Sequence, residues 1–384
     1  MLKFIHFSDS HLGCTDLDAT NDSGLNIREY DFYDAFSQSV DIIIEEKPDF
    51  VLHTGDLFHR ASPSNRSLIF AAKELQRITS AGIPVYIIAG NHDYPKTVNT
   101  APIHELLLMN KNLKIYFDEQ YSVTEEPGFK LHVLPHINND EKFKAATDEI
   151  SVSGKNGKPE ILAMHLSLGT YLMQELGERV FPPEKCSILK EFDYVAMGHW
   201  HQFRKMEKYG NVWYAGSTER TSASQTGNPM GVVRVIIDGG RTTAELLPVK
   251  LREWHVFNVA KCAEKEPVAI LSELSERIES DAAGVTADKI FHIALHDIGS
   301  FRPVTDSDIE KLFPGALYVQ VRAFKADSSG RLVADEEKTD LKGSLSEVLS
   351  KEFSLNGELE KASEIINKLW EKIESEESDA NNQH

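Results

Sequence analysis

The sequence is poor in cysteine: Cys14, Cys186 and Cys262 are the only three in 384 residues, and they lie far apart with no Cys-x-x-Cys pair. That spacing argues against a zinc ribbon or a thiol redox motif and fits a reduced, cytoplasmic setting. No apolar run approaches the roughly 18 residues of a membrane-spanning helix, so no membrane partner is expected. The first residues pass straight into an apolar alternation, Leu2 to Phe7, without a basic region or a small-residue cleavage site, and no secretory leader is expected. Basic charge is also in deficit, with 41 Lys and Arg against 60 Asp and Glu and a net charge of -19. An acidic chain repels phosphate backbones at long range, which argues against nucleic acid. Divalent metals invert that logic locally, and a partner could supply a basic surface.

With 41% apolar residues, the chain can hold a catalytic domain of about 200 to 250 residues plus smaller units. Short apolar strands recur through residues 1–250: Lys3 to Phe7, Phe50 to Thr54, Pro84 to Ala89, Lys130 to Leu134, Glu160 to Met164, Tyr194 to Met197, Val212 to Ala215, Val232 to Ile237 and Ala244 to Val249. Helical i, i+3, i+4 spacing lies between the early strands, over Asp31 to Glu46, Ser64 to Ala81 and Ala101 to Asn110. Alternating β and α followed by a β-rich half suggests helices flanking a two-sheet sandwich, a layering that periodicity leaves open. Residues 251–324 read as a small α+β unit, with helices over Pro267 to Ser280 and Ser307 to Leu312 between strands. Residues 325–343 read as a linker, 344–375 as two short helical patterns and 376–384 as a polar tail.

Small motifs rich in potential ligands follow the strands: Asp9-Ser10-His11, Gly55-Asp56, Gly90-Asn91-His92-Asp93, His165, and Gly198-His199-Trp200-His201. Strand ends on one edge of a sheet converge, so these residues can meet in space. Carboxylates, an amide and imidazoles without thiolate suit borderline-hard divalent cations. In Asp-x-His and His-x-His, extended backbone turns residues i and i+2 to the same side. Glycine before Asp56, Asn91 and His199 permits tight turns close to an ion. Each motif alone reads as a turn or loop pair; in this order behind these strands they read as one site.

The ordered set resembles the calcineurin-like metallophosphoesterases, whose pattern is D-x-H, G-D, G-N-H-[DE], H and G-H-x-H. The resemblance implies an α/β (α+β) four-layer sandwich of two β-sheets flanked by helices. It implies that Asp9, His11, Asp56 and His201 hold one divalent ion, that Asp56, Asn91, His165 and His199 hold a second, and that Asp56 bridges them. Two such ions activate a shared hydroxide for in-line attack on phosphorus. His92, beside the scissile phosphate, then suits the general acid for the leaving alkoxide.

Protein phosphatases of this class usually carry G-D-x-x-D-R, whose second aspartate orients the catalytic histidine. Here His59 stands at that position, in Gly55-Asp56-Leu57-Phe58-His59-Arg60, and is expected to be catalytic with His92. With Ser8-Asp9-Ser10-His11-Leu12-Gly13 and Arg28-Glu29-x-Asp31-Phe32-Tyr33-x-Ala35-Phe36, the exchange resembles the SbcD-type DNA repair nucleases. That narrower resemblance implies a metal-dependent exonuclease and endonuclease acting on DNA ends, with manganese as the usual metal. It also implies a capping domain at 251–324, a homodimer built through the helices near 64–81 and 101–110, and a C-terminal helix-loop-helix that grips an SbcC-type ATPase. Leu345, Leu349, Phe353, Ile366, Leu369 and Trp370 keep helical spacing for that contact; a helix pair folded on its own domain is the alternative. Leu106 to Met109 read either as a dimer patch or as core. Arg60, Arg66, Lys96, Arg204 and Lys205 read either as phosphate contacts or as solvated surface. The remaining histidines, His6, His53, His104, His132, His136, His255, His292, His296 and His384, match no ligand block and are expected in core or surface roles. Two rival functions are a small-molecule phosphodiesterase and a non-catalytic scaffold. The second is disfavoured because none of the ligand positions nor His92 is replaced.

Overall fold

Leu2–Phe7 forms β1, and every residue but Lys3 is buried, which places the strand inside a layered sheet rather than at an edge. The computed structural model describes residues 1–15, 17, 19–20, 24–95, 100–152, 157–169, 178–299, 303–326 and 332–334. β1 pairs in parallel with β2 (Phe50–Thr54), followed by β3 (Val85–Ile88) and β4 (Leu113–Tyr116). On its other side it pairs antiparallel with β11 (Gly231–Asp238), which carries β12 (Arg241–Pro248), for the order β12-β11-β1-β2-β3-β4. The second sheet runs β5 (Ser122–Glu125), β6 (Lys130–Leu134), β7 (Glu160–His165), β8 (Tyr194–Gly198), β10 (Val212–Tyr214), β9 (Arg204–Lys205).

Parallel neighbours need long crossovers, and helices supply them. α1 (Ile27–Glu46) joins β1 to β2, capped by the Asn26 side chain accepting from the Glu29 N–H. α2 (Asn65–Ser80) joins β2 to β3 and is capped in the same way by Ser64. α4 (Asp140–Glu149), capped by Asn139, joins β6 to β7, and the 3-10 turns of Pro183–Glu191 precede β8. The stretch Ala101 to Asn110, expected as a helix throughout, is helical only over α3 (His104–Leu107). Its N-cap, Ile103, has no side-chain oxygen to satisfy the first N–H groups, and Pro102 restricts the entry.

Three apolar layers hold these elements together. Phe36, Val40, Ile43, Leu75 and Ile78 pack under the first sheet against Ile5, Val51 and Val85. Phe4, Phe50, Leu52 and Ile88 face Leu131, Ile161, Tyr194 and Ala196 between the sheets. Phe143, Ala146 and Leu189 cover the far side of the second sheet at Leu162 and Val195. Helix, sheet, sheet, helix is the four-layer sandwich expected from the resemblance.

By contacts the described residues divide into two compact units, those within 1–257, 276–292 and 310–320, and those within 258–275, 293–309 and 321–334. Beyond the sandwich a third sheet has the order β13 (Trp254–Val259), β14 (Ile290–His296), β15 (Tyr318–Ala326), β16 (Leu332–Ala334), with helices α5 (Pro267–Ala282) and α6 (Asp306–Glu310). β15 and β16 pair antiparallel within the stretch read as linker, because Leu332 to Ala334 is an apolar run long enough to register with Phe324 to Ala326. The helical patterns of 344–375 and the tail lie outside the described residues.

One polar group spans the middle layer. His6 on β1 is fully buried, its Nδ1 3.0 Å from the Tyr194 hydroxyl of the second sheet and its Nε2 2.9 Å from Thr54 Oγ1. Burial lowers its pKa to about 3, and burial does the same to His53, whose Nε2 lies 3.0 Å from Ser10 Oγ. The unfolded chain takes up these protons near the ordinary value of 6.5, while the fold refuses them until about 3. Across that window the unfolded state binds more protons, so stability falls as pH falls. Denaturant midpoints are therefore expected to drop on acidification from pH 7 to 4, and less steeply in His6→Gln than in the wild type; parallel slopes would remove His6 from the titration.

Candidate metal centre

β1, β2, β3, β7 and β8 run in one direction within their sheets, and the motifs follow their C-terminal ends. The first two motif loops are zipped by backbone hydrogen bonds: Asp9 N to Gly55 O (3.0 Å), His11 N to Asp56 O (3.0 Å), and Leu12 N to Leu57 O (2.9 Å). This zipper holds side-chain-bearing residues in the left-handed region, Asp9 at φ 53°, His11 at 42° and Asp56 at 55°; His199 sits at 100°. At about 1 to 3 kcal/mol each, such strain approaches the net stability of a domain, so the surrounding bonds must over-determine it. All three motif glycines are needed for space: a Cβ on Gly55 would lie 2.3 Å from His165 Nδ1, one on Gly90 2.1 Å from Asp56 Oδ1, and one on Gly198 2.0 Å from Thr54 O. Gly55 also turns at φ 97°.

All seven expected ligands come together. Asp9, His11, Asp56 and His165 are buried, while Asn91, His199 and His201 are partly exposed at the mouth. His11 Nε2 lies 3.1 Å from His201 Nε2 and 3.9 Å from Asp56 Oδ2; His201 Nε2 lies 3.7 Å from Asp9 Oδ1. Asn91 Oδ1 sits between His165 Nε2 (2.9 Å) and His199 Nδ1 (3.2 Å), and Asp56 Oδ2 is 3.3 Å from His165 Nε2. Donor atoms of Asp9, His11 and His201, and of Asp9, Asp56 and His165, fall within 4.8 Å of one another. Backbone amides fix the carboxylates: His199 N donates to Asp9 Oδ2 (3.0 Å) and His92 N to Asp56 Oδ1 (2.8 Å). The His165 Nδ1–H donates to Thr54 O at 2.7 Å, which turns its Nε2 into the site.

The electrostatics show what the donors lack. Burial raises Asp9 to about 7, although His165 pulls the other way. Burial also opposes ionisation of Asp56, but neighbouring His165 holds it well below the carboxylate range. His165 itself, disfavoured as a cation by burial, is carried up to about 10 by Asp56 and then Asp9. Burial keeps His201 near 4 and His11 well below 6.5. Two buried carboxylates, an amide oxygen and facing imidazole nitrogens at hydrogen-bond distance form a donor set that divalent cations fit.

His92 is exposed, with Nδ1 3.2 Å from the His59 carbonyl oxygen. Because a carbonyl only accepts, Nδ1 carries the proton and Nε2 is left for proton exchange. His59 meets His92 in two ways: its backbone carbonyl takes the hydrogen bond, and its ring stacks at 5.4 Å between centroids. Burial lowers the His59 ring to about 4. Two residues given no role by sequence complete the surroundings. Asp93 accepts from Leu57 N (2.7 Å) and Gly90 N (2.8 Å), tying the second motif to the third; its place at the end of Gly-Asn-His-Asp was the available signal. Glu178 Oε2 lies 3.4 Å from His199 Nε2, and no motif marks it.

Of the flanking cations, Arg66 pairs with Glu29 and Lys205 with Glu207, Arg60 and Arg204 are exposed, and Lys96 lies outside the described residues. His6, His53, His104 and His132 are core residues, as expected. The six apolar residues read as partner-binding, Leu345 through Trp370, lie outside the described residues.

Residues 2–203 match the family described as calcineurin-like phosphoesterase. Relatives called DNA double-strand break repair protein Mre11 include one from Methanococcus maripaludis, 31% identical over 58% of this chain and 59% of that protein. Another, from Sulfurisphaera tokodaii, is 30% identical over 76% of this chain and 73% of its own length; one from Sulfolobus acidocaldarius is 29% identical over 77% and 75%. The match to the first of these thus spans under two thirds of its length. Among solved structures, a dimetal phosphatase from Danio rerio superimposes with a TM-score of 0.39 at 11% identity, over 64% of this chain and 95% of that one. The chain belongs to the calcineurin-like phosphoesterase family, among the relatives of the Mre11 proteins.

Proposed function

We propose that the protein is a metal-dependent DNA nuclease, exonuclease and endonuclease, that processes ends in double-strand-break repair. The observation that carries this reading is the convergence of seven oxygen and nitrogen donors beside a histidine whose Nε2 is open. Asp9, His11, Asp56 and His201 would hold one ion, and Asp56, Asn91, His165 and His199 a second, with manganese the metal of choice. Bound there, the pair supplies Lewis acidity at the phosphoryl oxygens and a nucleophile at neutral pH. Protonated on both ring nitrogens, His92 would give its Nε2 proton to the leaving oxygen and keep its Nδ1–H on the His59 carbonyl, which holds the ring in the required orientation. The names of the relatives support DNA as substrate over a small-molecule phosphodiester.

The remaining units follow the same reading. Residues 251–324 serve as the capping domain, and 344–375 as the segment that binds an SbcC-type ATPase, which also brings the basic surface that a chain of net charge -19 lacks. Ile69 (56% exposed), Leu106 (49%) and Met109 (81%) line an apolar cavity of about 580 Å³ on α2 and α3, a surface suited to a homodimer.

Labelled duplex DNA with defined ends, incubated with Mn, Mg or EDTA, tests the substrate; hydrolysis of small diesters but not of DNA would favour the rival phosphodiesterase. In that assay Asp56→Ala is expected to lose both ions by elemental analysis. His92→Asn is expected to keep them and lose about a hundredfold or more in rate, and unchanged turnover would take His92 out of the chemistry. For the assemblies, Met109→Asp is expected to sediment as a monomer, and a chain ending before residue 344 to lose the ATPase in pull-down while keeping diesterase activity. Retained association in either case moves that interface elsewhere.

A further inference from the structure

Among the described residues the largest fully buried side chain, Arg28, has no part in the chemistry above, yet its guanidinium is aimed at the segment that adjoins His201. Arg28 Nη1 donates to Asp31 Oδ2 (2.6 Å), and Nη2 donates to the carbonyl oxygen of Arg220 (2.7 Å) and lies 3.4 Å from the buried Glu219 Oε1. Phe32 and Trp254 stack on the cation at 5.1 and 5.0 Å. Glu219 Oε1 in turn accepts from Arg220 N (2.7 Å), and the Glu219 carbonyl accepts from Ser217 Oγ (2.8 Å). An isolated buried guanidinium is costly, so the partners of its two Nη atoms offset its burial, and those partners fix the backbone of 217–220.

The next residue faces the metal centre. Thr221 Oγ1 lies 3.0 Å from His201 Nδ1. Gln225 braces it twice, its Oε1 accepting from Thr221 N (2.9 Å) and its Nε2 donating to Thr221 Oγ1 (3.1 Å). Gln225 Nε2 is also 2.9 Å from His201 Nδ1, but an amide nitrogen only donates. For His201 Nε2 to offer a lone pair, the proton must sit on Nδ1, and of these two neighbours only the Thr221 hydroxyl can accept it.

We propose that the Arg28 network and Thr221 are positioning residues for His201: the buried guanidinium holds the 217–221 backbone, and the Thr221 hydroxyl selects the tautomer that presents Nε2 to a cation. This rests on the reading of His201 as a ligand of one ion. It gives a role to the Arg28-Glu29-x-Asp31 motif of α1, far in sequence from every ligand it serves.

The test is calorimetric titration of the metal-free full chain with Mn, read as stoichiometry and affinity rather than as activity. Thr221→Val is expected to weaken one of two ions by roughly tenfold to a hundredfold and leave the other unchanged, while Thr221→Ser restores wild-type affinity. The paired variant Arg28→Met with Glu219→Gln, which removes both buried charges together, is expected to weaken the same ion; if it does not fold, the Thr221 series decides. Two ions bound at wild-type affinity in Thr221→Val would overturn the proposal, as would equal weakening in Thr221→Ser, which would mean that packing and not the hydroxyl matters. His201→Ala separates the premise: if it still binds two ions tightly, the ligand reading itself is wrong, whereas loss of one ion there with none in Thr221→Val condemns only the positioning role.

Discussion

The constraint on which the rest depends is the burial of two carboxylates, Asp9 and Asp56, at the common edge of two packed sheets. Taking an ionised carboxylate out of water costs several kcal/mol even after relaxation, so such a pair persists only with compensation. The chain supplies part of it: the His199 and His92 amides donate to the carboxylates, and His165 Nε2 lies 3.3 Å from Asp56 Oδ2. The two carboxylates themselves sit on backbone turned through the left-handed region, and the zipper between the first two motif loops is what holds Asp9 and Asp56 there. Gly90 and Gly198 follow from the same crowding, since no side chain fits against Asp56 or Thr54. Strain, buried charge and missing Cβ atoms are thus one arrangement, whose remaining electrostatic need a divalent cation meets.

Much of this was legible in the sequence because it is carried locally. Strands buried on both faces read as continuous apolar runs, and Phe50–Thr54 and Lys130–Leu134 fall where the runs do. The ligands were legible because each follows such a strand. Less was legible where the apolar signal is thin. α4, Asp140–Glu149, buries little beyond Phe143, Ala146 and Thr147, and β5 alternates in a charge-rich stretch, so neither announces itself. α3 shows the opposite failure: Leu106 to Met109 have helical composition, but the stretch lacks a cap and its apolar side chains are split between core and surface, with Leu107 buried and Met109 exposed. The groups behind the ligands were illegible for a different reason. Glu178, Thr221 and Arg220 act through contacts fixed by tertiary structure, some of them nearly two hundred residues away, and residue type alone does not separate them from ordinary loop residues. His59 shows the limit of reading by analogy, because at the position where the phosphatases carry an aspartate side chain it is a backbone carbonyl that meets His92.

Net charge is the feature of the sequence that misleads most easily. A total of -19 describes a field felt far from the molecule, and beyond a Debye length of about 8 to 10 Å at physiological ionic strength salt screens most of it. Near the site the sum is set by a few atoms: with two divalent cations held against Asp9 and Asp56, the local charge would be about +2, of the sign that draws in a phosphate. Because that charge is buried among low-dielectric walls, it is screened far less than the surface carboxylates that dominate the total. Composition therefore bears on how fast and how tightly an extended polyanion is captured, and hence on the need for a basic partner. It has no bearing on whether a phosphodiester, once delivered to the ends of β1, β2, β7 and β8, meets an attractive site.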